Sequence, residues 1–214
     1  METVSASGLP RGYGSSRADH VKIPFALTDS SVLTARPPSF STGDAAAIAA
    51  EHFGLTGVAT ALGSERDQTF LIDGTDDAGV LKVSNAGEDA NVLDLETAAI
   101  LHALAVDPEL PIARARKPYR ISVDGHFVRL FDRAVGHNGG PELADDAVFD
   151  YAATQARLHL ALRGFFHLAG GRELLWDLKQ AAGLRPLLDA VAEASRRRLV
   201  ETVLSRFEER VAPV

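Results

Sequence analysis

Cysteine is absent from the 214 residues. That absence excludes structural disulfides, thiolate zinc sites and cysteine nucleophiles. Large polarisable side chains are also scarce, with one Met, one Trp and three Tyr. No apolar run approaches the roughly 20 residues needed to span a bilayer, and the first residues lack the basic-then-apolar pattern of a secretory signal. Positive charge is in short supply: 22 Lys and Arg stand against 29 Asp and Glu, for a net charge of -7. Phosphate backbones select basic faces, so this charge argues mildly against nucleic acid as the main partner and leaves room for a local basic pocket. These absences together predict a cytoplasmic protein with no membrane and no nucleic-acid partner. What is present is ordinary: 46% hydrophobic and 24% charged residues, enough for a sizeable core in one domain or one and a half.

Residues 1–40 are rich in Gly, Ser, Pro and Arg and read as a mobile extension, with a short apolar patch at Val21 to Leu27 and an end at Pro37-Pro38. Order begins at Ser41-Thr42-Gly43-Asp44, which offers caps for a short helix from Ala45 to Phe53. Strands follow at Val58 to Leu62, Thr69 to Ile72 and Val80 to Ser84, separated by the polar turns Gly63 to Asp67 and Asp76 to Gly79. Val92 to Val106 carries helical spacing in Val92, Leu95, Ala99, Ala103 and Val106. Tyr119 to Val123 and His126 to Phe131 flank Asp124-Gly125, a strong hairpin signal. From Asp145 to Val211 the pattern is helical, interrupted at Gly164, Gly170-Gly171 and Gly183 to Pro186. The expected organisation is a small mixed lobe over residues 41–133, a linker over 134–141 and a helical region over 142–214.

One strand residue stands out chemically. Lys82 lies in Val-Leu-Lys-Val, on the strand face of Val80 and Ser84. A buried unpaired ammonium is expensive, so Lys82 should meet an acid or a phosphate. Phosphoryl transfer from ATP uses a polar loop over the phosphates, a lysine reaching them and an acid that holds the lysine. Gly63-Ser64 could supply the loop, with backbone amides free to face a phosphate. Glu96, on the following helix with Leu93, Ala99 and Ile100 around it, is the natural partner for Lys82. The plainer alternative makes Lys82 the wet side of an ordinary strand and Glu96 a solvated helix residue. Arg66 and Asp67 read as a solvated turn.

The run Leu62-Gly63-Ser64-Glu65-Arg66-Asp67-Gln68-Thr69-Phe70 resembles the loop of a bacterial branch of the aminoglycoside phosphotransferase and choline kinase superfamily, similar to hydroxylysine kinase. Val80-Leu81-Lys82-Val83-Ser84 followed by Asp94-Leu95-Glu96 resembles that group's ATP lysine and helix glutamate. Pro108-Glu109-Leu110-Pro111, Val128-Arg129-Leu130-Phe131, Arg163-Gly164-Phe165 and Leu174-Leu175-Trp176-Asp177-Leu178 are similar to further segments, so the likeness runs from about Phe40 to Val214. It implies an α+β, protein-kinase-like fold: a small lobe with a five-stranded antiparallel sheet plus a helix, followed by an incomplete helical lobe. It implies ATP and Mg²⁺ as cofactors and a hydroxylated amine or amino acid as acceptor. Gly63 and Ser64 would cover the phosphates, Lys82 would contact the α and β phosphates, Glu96 would position Lys82, and backbone groups at Leu130, Phe131 and Asp132 would meet the adenine. The loop has one glycine where the protein-kinase pattern has three. Members of this branch can be fused to class-III aminotransferases, so the resemblance allows a longer parent protein.

The superfamily's catalytic loop resembles His-x-Asp, with an Asn five residues on and a later Asp-x-Gly or Asp-x-Asp for metal. None of the 7 histidines is followed two places later by Asp. Asp77-Ala78-Gly79 has the shape of the metal motif but precedes Lys82. Hence no catalytic residue and no metal ligand is assigned, and the chain is expected to be an incomplete kinase with little activity, or else a non-catalytic nucleotide-binding relic. Asp177 reads as a helix-surface carboxylate, His159 as a packed helix residue, His137 as a loop residue between lobes and Arg196-Arg197-Arg198 as a solvated face. Leu158, Leu162, Leu187, Leu188, Val191, Leu199 and Val203 are expected to expose apolar helix faces that favour self-association.

Overall fold

The computed structural model describes residues 35–134, 136, 144–171 and 177–211. The expected Val21 to Leu27 patch, His137, Leu174 to Trp176 and most of the 134–141 linker lie outside the described residues. The described residues divide into two compact units, one within Leu27–Leu175 and the other within Trp176–Val214.

In the first unit the order is α1 (Thr42–Phe53), β1 (Val58–Leu62), β2 (Gln68–Asp73), β3 (Ala78–Val83), α2 (Ala90–Val106), β4 (Ile121–Val123), β5 (His126–Asp132) and α3 (Asp145–Ala161). Helix α1 starts where Ser41 and Asp44 close a reciprocal capping box, the Ser41 side chain accepting from the Asp44 amide and the Asp44 carboxylate accepting from the Ser41 amide. It stops at Gly54, whose φ of 68° suits a residue without Cβ. The strands form one antiparallel sheet in the order β1-β2-β3-β5-β4. Asp124 and Gly125 turn the last hairpin with φ of 49° and 79°, the two positive values that a tight two-residue hairpin requires. The fold is therefore α+β, as expected, with element ends differing by up to three residues, the largest at α1, which starts at Thr42 instead of Ala45.

Strand alternation splits the sheet into unlike faces. Phe70, Ile72, Leu81, Val83, Val128 and Leu130 point to one side and are buried against Ala45, Ile48 and Ala49 of α1 and Leu55. Gly79 is small by necessity there: a Cβ would stand 3.0 Å from side-chain carbons of Leu130 and Leu55. Gly57 and Gly74 mark a close crossing, where a Cβ would stand 2.6 Å from the Asp73 carbonyl or 2.5 Å from the Thr56 carbonyl oxygen. The opposite face carries Thr60, Leu62, Thr69, Leu71, Val80, Lys82, Arg129 and Phe131.

Helix α2 begins at Asp89, whose side chain accepts from the Asn91 amide. Its buried stripe is Val92, Leu93, Thr97, Ala103 and Leu104. Val106, expected inside, is 58% exposed. Ala103, Leu104, Leu110 and Ala161 form a second small core, with Leu158 and Leu162 of the α3 end packed on it. Those two leucines were expected to lie bare, and instead they cover α2.

The second unit contains a 3₁₀ segment, Leu178–Ala190, and α4 (Ala194–Arg210). The expected break from Gly183 to Pro186 is absorbed by 3₁₀ geometry instead of ending the element. Asp177 is its N-cap, accepting from the Lys179 amide, so the carboxylate read as surface decoration closes an element. Arg185 donates to both carboxylate oxygens of Glu208 at 2.6 Å, tying the segment to α4. Leu199 and Val203 are exposed at 65% and 58%, as expected. No helix among the described residues is long and apolar enough to cross a membrane.

Candidate functional site

The register decides which charged side chains meet. Leu62 lies opposite Thr69, Thr69 opposite Lys82, and Lys82 opposite Arg129. These four residues make one row across the polar face, at the end of the sheet where the Gly63 to Asp67 turn leaves β1. The turn that was expected to cover phosphates therefore borders the lysine that was expected to reach them. Gly63, Ser64 and Glu65 are exposed, and a Cβ at Gly63 would meet nothing within 4 Å.

Lys82 is half-exposed, and its Nζ is 3.3 Å from Asp67 Oδ2. Asp67 is the less accessible of the two, with a side chain 20% exposed. Its other oxygen accepts from the Asn85 amide at 3.0 Å. Asn85 is itself buried. Its side-chain amide reaches the carbonyls of Arg66 and Arg36 at 3.4 Å, and its oxygen accepts from the Gly87 amide at 2.9 Å. The turn and the chain ahead of α1 are thus held around Asn85 at the end of β3, whose backbone amide also fixes the Asp67 carboxylate.

The expected pairing of Lys82 with Glu96 is not the one formed. Glu96 accepts from Arg129 Nη2 at 2.9 Å. The Arg129 side chain is 2% exposed, whereas that of Glu96 is 47% exposed. A buried guanidinium outcompetes a half-exposed ammonium for the acid, because Lys82 can keep its water and Arg129 cannot. Arg129 also lies 5.2 Å from the Phe131 ring, and its Nε has no partner among the described residues. Sequence reasoning passed over Arg129 although the signal was available: a charge in the middle of Val-Arg-Leu-Phe is as anomalous as Lys82 in Val-Leu-Lys-Val. Asp67 carried no such signal, since a carboxylate at a strand entry is ordinary.

The backbone at the end of β5 is also committed. The Leu130 carbonyl accepts from the Arg116 amide, and the Asp132 amide donates to the Arg114 carbonyl, both at 2.8 Å. The Asp132 carboxylate accepts from Arg116 Nε at 2.6 Å, and the same guanidinium holds Asp77 through two further bonds. Of the backbone groups at Leu130, Phe131 and Asp132 that were expected to meet an adenine, the Leu130 carbonyl and the Asp132 amide bond to the segment before β4. The side chain of Leu130 is buried in the core on the other face. Phe131 is placed differently. It lies half-buried on the lysine face, opposite Val80 and two residues from Arg129.

No group of three or more His, Asp or Glu among the described residues could hold a metal. Asp67 and Glu96, the acids bordering the row, each carry a cationic partner. The donor set for Mg²⁺ is therefore not assembled by these residues.

No family model matches the chain, and no curated protein matches it. Among solved structures, the chain is similar to a microcompartment-associated aminopropanol kinase, at 17% identity over 69% of this chain and 49% of that one, with a TM-score of 0.49. It is also similar to a spectinomycin phosphotransferase in complex with ADP and spectinomycin, at 10% identity over 82% of this chain and 55% of that one, with a TM-score of 0.48. The chain spans about half the length of these two structures, and the likeness to them is one of fold.

Proposed function

We propose that the polar face of the sheet binds the phosphates of ATP, and that the chain serves an ATP-dependent phosphotransferase acting on the hydroxyl of a small amine or amino acid, hydroxylysine being one such acceptor. The observation that carries this reading is the placement of Lys82. Its half-exposed ammonium is held by a less accessible carboxylate beside the exposed Gly63-Ser64 turn, at the edge of an apolar strip made by Leu71, Val80 and Phe131. A triphosphate needs a cation and free backbone amides, and a base needs an apolar plane. The reading is supported by a lysine, an exposed turn and an apolar strip that lie on or beside one face.

In this reading Lys82 neutralises the phosphates, and the Gly63 and Ser64 amides cradle them from the turn. Lys82 acts as a compact point charge whose direction is set by its counter-ion. The side chains of the row offer Mg²⁺ no carboxylate ligand. Thermal unfolding with and without ADP tests the site. ADP should raise the melting temperature of the wild-type chain, because a ligand of the folded state stabilises it by mass action. Lys82→Met should weaken ADP at least tenfold while leaving the ligand-free melt within a few degrees, since Lys82 is not a core residue. No effect of ADP on the wild-type chain would sink the reading.

A second reading is a nucleotide-binding protein without catalysis. It is favoured by the lack of any His-x-Asp in the 214 residues and of a metal-ligand cluster among the described ones.

A further inference from the structure

The geometry points to Asp67 as the residue that positions Lys82 for phosphate, with Glu96 excluded from that role by Arg129. This rests on the nucleotide reading and goes beyond it by naming the acid. Three observations carry it. Asp67 Oδ2 is the acid oxygen at Lys82 Nζ, 3.3 Å away. Asp67 is fixed from behind, its Oδ1 accepting from the amide of the buried Asn85 at 3.0 Å. Glu96 is engaged by a guanidinium that is 2% exposed, and releasing it to reach Lys82 would leave that buried charge uncompensated.

The arrangement has a consequence for binding. Asp67 terminates the same turn that exposes Gly63 and Ser64, so one carboxylate couples the direction of the ammonium to the shape of the loop. A phosphate arriving at Lys82 finds a cation already oriented and only partly hydrated, which lowers the ordering cost of binding. Glu96 and Arg129 act one strand further on, as a structural pair between α2 and β5.

The test compares Asp67→Asn, Asp67→Glu and Glu96→Gln in the full chain, by titration with ADP and, separately, with adenosine. Asparagine keeps an oxygen for the Asn85 amide and removes only the charge. Asp67→Asn should weaken ADP about tenfold, the size of one charge-assisted hydrogen bond, and leave adenosine within twofold. Asp67→Glu should recover part of the ADP affinity. Glu96→Gln should leave ADP within twofold of wild type while lowering the ligand-free melting temperature. Wild-type ADP affinity in Asp67→Asn, or equal losses for ADP and adenosine, would overturn the role of Asp67 and leave the nucleotide site standing. A large ADP loss confined to Glu96→Gln would restore Glu96 as the positioning acid. Failure of the wild-type chain to bind ADP would remove the nucleotide reading and the role of Asp67 with it.

Discussion

Two cations adjacent in one row of a sheet would repel unless each had its own acid, and the row Thr69-Lys82-Arg129 satisfies that condition by dividing the acids. The division follows burial. Arg129 has no access to water and takes the acid that comes from the packed helix, whereas Lys82 keeps some hydration and takes the acid from the turn. The two pairs should therefore respond differently to mutation. Glu96→Gln should cost about 2 kcal/mol of stability, the range for a hydrogen bond to a charged group, because a buried guanidinium loses its counter-ion. Lys82→Met should cost much less, since an exposed ion pair contributes about 0–1 kcal/mol. Urea melts of the two variants check the ordering. Equal costs would mean that Arg129 finds other compensation.

At the scale of elements, Arg116 is the staple. Its guanidinium binds Asp77 at the start of β3, Asp132 at the end of β5 and the Ala78 carbonyl. Three separate segments are thereby fixed at the end of the sheet remote from the row. The hydrogen bond from Arg116 holds the Asp77 carboxyl below its ordinary value of 3.8, and Arg157 does the same for Asp107 at the end of α2. A carboxylate depressed in the folded state binds fewer protons than it does unfolded, so its contribution is present above the unfolded value and lost as pH falls through the folded one. The wild-type chain should therefore lose stability below about pH 4, a window set by that unfolded value. Asp77→Asn should show a shallower loss over the same interval together with a lower plateau at neutral pH. Denaturant midpoints measured from pH 2 to 7 supply the test, and parallel curves for the two proteins would remove the Arg116 contribution. The first unit also depends on its turns. Gly57 and Gly74 face neighbouring backbone at distances no Cβ tolerates, which sets how β1 enters the sheet beside the end of β2.

For the molecule as a whole, binding and turnover are separable. The described residues supply a half-exposed lysine, an acid that holds it and an apolar strip. They do not supply a carboxylate at His-x-Asp spacing or a cluster of metal ligands. General-base assistance alone is worth 10²–10⁴-fold, roughly, in such reactions. On the proposed reading, the 214-residue chain, supplied with Mg-ATP and hydroxylysine, should show ADP release no faster than the Lys82→Met variant. Turnover well above that variant, at ordinary kinase rates of about 1–100 per second, would show that another side chain of the protein acts as the base.

The amino-acid sequence by itself determined the order of helix, three strands, helix and two strands, and most of their limits. These follow from local causes: the Ser41 and Asp44 caps, the Asp124-Gly125 turn, and strand alternation around Phe70, Leu81 and Val128. It also determined that Lys82 needed a partner, because an ammonium set between apolar neighbours in a strand is costly to leave uncompensated. It could not determine which partner. That choice depends on the relative burial of Lys82 and Arg129, which are 47 residues apart in the chain yet opposite each other in the sheet. It depends also on the register that brings Asp67 beside Lys82. Sheet pairing and burial are properties of the assembled fold, set by α1 filling one face and α2 closing over the Arg129 end of the other. Only the tertiary structure therefore decided that Asp67 holds the lysine and that Glu96 belongs to Arg129.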